Sequence, residues 1–245
     1  MRSNCRDRLY QNSGNPGLMD MLDRHAGTIL DVGCGAGANA ALIRRENPAA
    51  RIYGITISTE EAKAAANHFD RVWVCDIEER FPEELSQFQF DAIIFSHVLE
   101  HLRDPAWVVA ESNHFLRDGG CMLIAVPNVV NWRQRFKLLR GEFQYERDGT
   151  MDETHLRFFT FFTADRYLLA QASQIDCVEK RADGSVPLWV LRRYLFPKRL
   201  SAALDRTGVH LWPNLFGSQV LLKGRKRGAA NLSDTTPNGS RLITG

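Results

Sequence analysis

The chain has 245 residues, a mass of 27.8 kDa and a formal net charge of +2, and is 44% hydrophobic, 24% charged and 10% aromatic. Those values exclude a disordered chain, a collagen and a coiled coil, and at this length folding removes roughly 70–75% of the extended chain's surface from water. No apolar run approaches the ~20 residues of a membrane-spanning helix, the polar start from Met1 to Tyr10 lacks the apolar stretch of a secretory signal, and with a net charge that gives no argument for nucleic acid and no long basic stripe, no nucleic-acid partner is expected.

The elements alternate along the chain. Thr28–Val32 (TILDV) is a short apolar run that enters Gly33-Cys34-Gly35-Ala36-Gly37, and Ala38–Arg45 then reads as helix. Arg51–Ser58 (RIYGITIS) is β-rich and precedes a helical Thr59–Phe69. Arg71–Cys75 and Asp91–Ser96 are further strands, the second leading into His97. Pro105 opens a helix to about Leu116, Asp118-Gly119-Gly120 is a tight turn, and Cys121–Val126 is a fifth strand. Five buried-looking strands separated by helices indicate a parallel sheet covered on both faces, with right-handed crossovers. Ile175–Lys180 and Gly217–Gly224 read as two closing strands. The expected fold is thus α/β, a Rossmann-like doubly wound sheet of seven mostly parallel strands with an inserted lid. From Arg225 the sequence is basic and then rich in Ser, Thr, Asn and Gly, which reads as a disordered tail.

The five cysteines, Cys5, Cys34, Cys75, Cys121 and Cys177, form no CxxC pair. Small buried hydrophobes in a reducing cytosol are the expected reading.

A glycine-rich turn lets backbone approach a ligand that a Cβ would block. Gly33 and Gly35 are expected to face that ligand and Gly37 to let the next helix pack close. The spacing is GxGxG, with Asp31 two residues before the first glycine. A carboxylate there repels a pyrophosphate and suits a ligand carrying positive charge. S-adenosylmethionine has a sulfonium, an α-ammonium and no phosphate, so the pattern favours it over a nicotinamide dinucleotide.

TILDVGCGAGANA resembles motif I of the class I S-adenosylmethionine-dependent methyltransferases, and DAIIFSHVLEHLRDP and LRDGGCMLIAVPN resemble that family's strand-four and strand-five motifs. The likeness covers Tyr10 to Asn128, and PNVVNWRQRFKLLRGEFQY with Asp152–Thr160, together with Tyr10–Pro16, resembles the methyltransferase-type-23, UbiG-like subgroup. It implies a cofactor pocket of Asp31, Gly33, Gly35, Gly37, Thr56, Ile57, Asp76, Ile77, Ser96 and His97, with Asp76 on the adenine amino group and Tyr10 reaching over from the N-terminal loop. It also implies a division into a cofactor-covering segment 1–27, a binding core 28–128, an acceptor lid 129–163, a closing helix and strands with a basic insert 164–227, and a tail 228–245. One departure matters: strand two ends in Thr56, where the family usually has an acid for the ribose hydroxyls, as cyclopropane fatty acid synthases also do. Glu60 or Glu61 is a candidate to compensate, against a reading as solvated helix residues.

Methyl transfer to a hydroxyl needs a base, and a histidine titrating near neutrality is the commonest choice. His97 lies directly after strand four, where open α/β sheets bind ligands. His155, in Asp152-Glu153-Thr154-His155 of the lid, is the preferred base, with Asp152 to orient it. No metal site is expected, because His97 stands where quinone-pathway relatives have an acid and few ligands remain near Glu100 and His101. Phe158, Phe159, Phe161 and Phe162 read as a buried segment.

Two inserts are basic and aromatic: Asn131–Arg140, and Trp189–Arg199. They fit a solvated lid face, an anionic acceptor, or, for the second, peripheral contact with a membrane surface. The whole reads as a cytoplasmic, S-adenosylmethionine-dependent O-methyltransferase acting on a small-molecule, glycan or lipid-linked hydroxyl. The alternatives are an N- or C-methyltransferase and a non-catalytic cofactor-binding subunit.

Overall fold

The computed structural model describes residues 13–187 and 196–228. Tyr10, Cys5, most of the second basic insert and the tail from residue 229 lie outside the described residues. Seven strands form one sheet: β1 (Thr28–Val32), β2 (Arg51–Thr56), β3 (Arg71–Val74), β4 (Phe90–Ser96), β5 (Leu116–Pro127), β6 (Ile175–Gly184) and β7 (Gly217–Lys226). Their spatial order is β3-β2-β1-β4-β5-β7-β6. The first five are parallel, and β7 runs antiparallel to both of its neighbours. The doubly wound, mostly parallel expectation therefore holds.

Both faces of this sheet are buried, because successive side chains of a strand point to opposite sides. Leu30, Val32, Ile93, Phe95 and Ile124 build the core on one face. Ile29, Ile52, Ile94 and Leu123 build it on the other. The strand order reverses between β1 and β4, which opens a crevice at their carboxyl ends. The helices, in chain order, are α1 (Pro16–Met19), α2 (Ala38–Glu46), α3 (Thr59–Ala65), α4 (Pro105–Ser112) and α5 (Trp132–Leu139). Then come α6 (Ala164–Leu168), α7 (Lys198–Leu211) and α8 (Pro213–Phe216).

Several boundaries differ from expectation for local reasons. β2 stops at Thr56 because Ser58 is the N-cap of α3, its side chain accepting from the Glu61 amide at 3.3 Å. α3 ends at Ala65, freeing Phe69 to turn back over Gly54 and Gly37, where an added Cβ would meet its ring at 3.0 and 3.1 Å. β5 begins at Leu116 and absorbs the Asp118-Gly119-Gly120 turn as a register shift, with Gly119 at φ 71°. β7 runs to Lys226, past the expected end: Arg225 pairs with Asp23, and the Lys226 ammonium donates to the Asn113 and Leu116 carbonyls.

Other corrections concern burial. Cys34 and Cys121 are buried as expected, but Cys177 is exposed on the edge strand β6. The FFTFF run is two-sided. Phe159 is buried and pairs with Asn128 in a short bridge, whereas Phe158 and Phe162 are exposed. This segment is turn and irregular backbone, so its side chains diverge.

Candidate active site

The glycine turn bends as its sequence suggests. Gly33, Gly35 and Gly37 have φ of 74°, 51° and 92°, the left-handed region that favours glycine. The amides of Gly33 and Cys34 both donate to the Ile55 carbonyl, locking the turn to β2. At Gly33 a Cβ would lie 2.6 Å from Val98, so that glycine also serves the protein's own packing.

Asp31 is 0% exposed, and among the described residues neither of its carboxylate oxygens has a partner in good hydrogen-bond geometry, the Asn39 side chain being its nearest polar neighbour. Burial pushes its pKa from 3.8 up to about 7, with the side chain of Asn39 opposing. A buried acid left without a donor is costly, and a cation would relieve it. The ammonium of S-adenosylmethionine is such a cation, so the residues present fit this cofactor.

Thr56 does not stand alone at the end of β2. Its hydroxyl donates to Glu61 Oε2 at 2.6 Å, and Glu61 is only 6% exposed. Glu61 is therefore not a solvated helix residue. It brings a carboxylate from the first turn of α3 to the place where the strand lacks one. Further round the crevice, Asp76 is half-buried and accepts from the Glu78 amide at 3.1 Å. Ile77 is buried, Ile57 is exposed, and Ser96 is half-buried as the last residue of β4.

His97 is the one non-glycine residue at positive φ among the described residues, at 56°. Such strain persists only where the surroundings over-determine it. Its amide donates to the Ala125 carbonyl at 3.0 Å. Its ring, 41% exposed, lies between Glu100 Oε1, 3.3 Å from Nδ1, and Gln219 Oε1, 2.8 Å from Nε2. Burial opposes its charged form, but the Glu100 hydrogen bond and charge and the Gln219 contact outweigh it, and the pKa is raised. Glu100 is 1% exposed. Burial raises its pKa, yet the hydrogen bond and charge of His97, with the charge of His101, hold it below the usual value.

The backbone does not let His97 and His101 share a helical face. After the left-handed His97, a 3₁₀ turn over Leu99–His101 sends His101 Nδ1 to Thr154 Oγ1 at 2.9 Å. Thr154 Oγ1 in turn donates to Asp152 Oδ1 at 2.6 Å, and the Asp152 charge also acts on His155, in the direction that raises its pKa. His155 is 8% exposed, and its Nδ1 donates to the Thr150 carbonyl at 3.2 Å. Its Nε2 faces Glu100 Oε1 at 3.9 Å. Burial lowers its pKa, against the raising charge of Glu100. The lid is tied down here, because the amides of Leu156 and Arg157 both donate to the Glu100 carbonyl.

Beyond the ends of β5 and β7 lies a cavity of about 280 Å³ whose lining includes Trp132, Gln134, Lys137, Glu146, Thr150 and Ser218. Gln134 is 9% exposed, and among the described residues its side chain has no hydrogen-bond partner. Lys137 is paired with Glu146. Thr150 is the residue that holds His155, and Ser218 precedes Gln219.

Sequence reasoning missed Gln219, which is 122 positions from the histidine it touches. No local signal marks it. Asn15, in the N-terminal loop before β1, touches it as well. Its side-chain amide donates to Gln219 Oε1 at 2.8 Å, and its backbone amide donates to Asn39 Oδ1 at 2.9 Å.

A family model described as a methyltransferase domain matches residues 5–170. The chain is 32% identical over 139 residues to the ubiquinone biosynthesis O-methyltransferase of Acinetobacter baylyi, covering 53% of this chain and 58% of that protein. The protein of the same name from Paracidovorax citrulli is 33% identical over 106 residues, covering 41% and 43%. The chain thus spans about half the length of the curated relatives it matches. Among solved structures, a SAM dependent methyltransferase from Archaeoglobus fulgidus superposes with a TM-score of 0.56 at 17% identity, covering 83% of this chain and 87% of that one. The plantazolicin methyltransferase in complex with SAH gives 0.54 at 16% identity, covering 83% and 77%. At those identities the likeness is one of fold.

Proposed function

Because the chain belongs to the methyltransferase-domain family and has the class I, S-adenosylmethionine-dependent fold, we propose that it methylates a hydroxyl of a small molecule or glycan, with His97 as the base. The observation that carries this reading is the strained, half-exposed His97 at the end of β4, backed by the buried Glu100. When bound, S-adenosylmethionine supplies a methyl group on a sulfonium that leaves readily.

The chain's own residues would do the rest. Asp31 receives the ammonium; Thr56, Glu61 and the Ile57 amide receive the ribose; Asp76 and Ile77 flank the adenine side; Ser96, at the end of β4 across β1 from them, borders the methyl end beside His97; and the bend from Gly33 to Gly37 gives the ligand room. His97 Nε2 takes the acceptor's proton, and Glu100, held ionised, stabilises the imidazolium that forms. His155 supports this pair from behind Glu100: it is buried and its Nδ1 is committed to Thr150. That assignment passes the role of base from His155 to His97.

The cavity between the lid and β7 suits a single polar ring. Trp132 offers an aromatic face and Gln134 an uncommitted amide, a combination that matches a hydroxylated acceptor. An anionic substituent would meet Arg133, also on the cavity wall. Peripheral contact with a membrane on the cytoplasmic side draws on α7 and its end, where Leu200, Leu204, Leu211 and Trp212 are exposed beside Lys198 and Arg199.

Incubation of the purified protein with methyl-labelled S-adenosylmethionine and cell extract tests the reading. Label should enter an alkali-stable, small or glycosylated product. His97→Ala should cut transfer on the order of 10²-fold or more while leaving S-adenosylmethionine affinity in place. Transfer that survives His97→Ala would point to a nitrogen acceptor, which needs no base when neutral. Tight cofactor binding with no transfer to any fraction would point to a non-catalytic subunit.

A further inference from the structure

We infer that Gln219 is a positioning residue that holds His97 protonated and in register until an acceptor displaces it. The inference rests on His97 being the base proposed above.

The argument is one of donors and acceptors. Gln219 Nε2 donates to Asp183 Oδ2 at 2.8 Å, and a carboxylate can only accept. Gln219 Oε1 receives the Asn15 side-chain amide at 2.8 Å. The amide is thereby fixed with its oxygen toward His97. The other ring nitrogen of His97 faces Glu100, again an acceptor. A histidine with acceptors at both nitrogens satisfies them only as imidazolium.

The groups packed round His97 are Glu100 from the turn after β4, Gln219 from β7 with Asp183 of β6 behind it, and His155 and His101 across Glu100. Asp31 lies buried near the end of the adjoining strand. The raised pKa of His97 agrees with this arrangement. A base needs a lone pair, and the nitrogen that must carry it, Nε2, is the one Gln219 occupies. The acceptor hydroxyl therefore takes the place of the Gln219 oxygen. The Nε2 proton leaves to solvent, and the same nitrogen then receives the proton of the acceptor.

The test is a ¹H–¹³C titration of His97 in the full chain, with neither cofactor nor acceptor present, its signal assigned by loss in His97→Gln. Gln219→Leu removes an acceptor and should lower the His97 pKa by about one pH unit. Gln219→Glu adds a charge and should raise it by a similar amount. Asp183→Ala is an exposed change that unlocks the amide, so its NH₂ can turn to His97, and the pKa should fall by a smaller step. Unchanged titration in both Gln219 variants overturns the inference, as does an unchanged Asp183→Ala if the Gln219 variants do not fold. The acid limb of the pH–rate profile for labelled transfer should move in the same order. If the titrations shift and the acid limb stays put, the contact is real but His97 is not the base. That outcome overturns the inference through its premise.

Discussion

Asp31 and Glu100 are both buried acids at the carboxyl edge of the sheet, at 0% and 1% exposure, yet the protein treats them in opposite ways. Burial disfavours the charge of each. Around Glu100 the neighbours reverse that cost, although its buried Oε2 has no hydrogen-bond partner among the described residues: His97 hydrogen-bonds Oε1, His97 and His101 add positive charge, and its pKa is held below the usual value. Around Asp31 they do not, and its carboxyl rises to about 7 with both oxygens unserved. The difference separates two jobs. In the proposed reading, the acid whose partners come from the chain organises the site, and the acid without them receives a partner from outside.

Removing the Asp31 charge should break the comparison most visibly. Asp31→Asn should weaken S-adenosylmethionine binding by about 30-fold or more in calorimetry, since a buried charge-assisted contact is worth about 2 kcal/mol or more. The same change should stabilise the cofactor-free protein. The folded-state pKa of Asp31 is raised, so its contribution is fully present below the unfolded value of 3.8 and is lost as pH rises through about 7. At pH 8 the wild type then carries a penalty of up to about 4 kcal/mol that the amide lacks. Thermal melts at pH 5 and pH 8 should show the two proteins diverging at the higher pH. A variant no more stable than wild type at pH 8 would mean that Asp31 has a partner after all.

Glu100→Gln probes the other half. His97 loses the carboxylate that raises its pKa, so the acid limb of the pH–rate profile should move to lower pH. The maximal rate should fall by about tenfold or more, with cofactor affinity little changed. Equal losses of affinity and rate would erase the distinction between the two acids.

The smallest effect is expected at Glu61, an acid that lies between the two cases because Thr56 already serves one of its oxygens. Glu61→Gln keeps the size and the hydrogen-bonding reach. It should weaken S-adenosylmethionine by a few-fold, about 1 kcal/mol, and Glu61→Ala somewhat more. Calorimetry with adenosine alone should show the same ratio if the contact is to the ribose.

The strands and the glycine turn were legible because their cause is local. A parallel strand buried on both faces is apolar throughout, and a left-handed bend selects glycine. TILDV entering Gly33 shows both within ten residues. Glu61 was half legible: its position was marked, but whether it met solvent or Thr56 depended on how α3 sat on the sheet. The surroundings of His97 and His155 were not legible. Both are histidines near acids in sequence, and that Asp152 also accepts from Thr154, while Glu100 lies between the two rings, depended on the backbone of the lid.

The amino-acid order by itself settled the alternation of strands and helices, the turn, and the acid beneath it, because those depend on neighbours a few residues away. The folded chain alone decided which acid is left without a donor, which histidine faces the crevice, and that a glutamine from the last strand caps it. Each of those facts depends on contacts between strands far apart in sequence, and only the closed sheet brings them within hydrogen-bond reach.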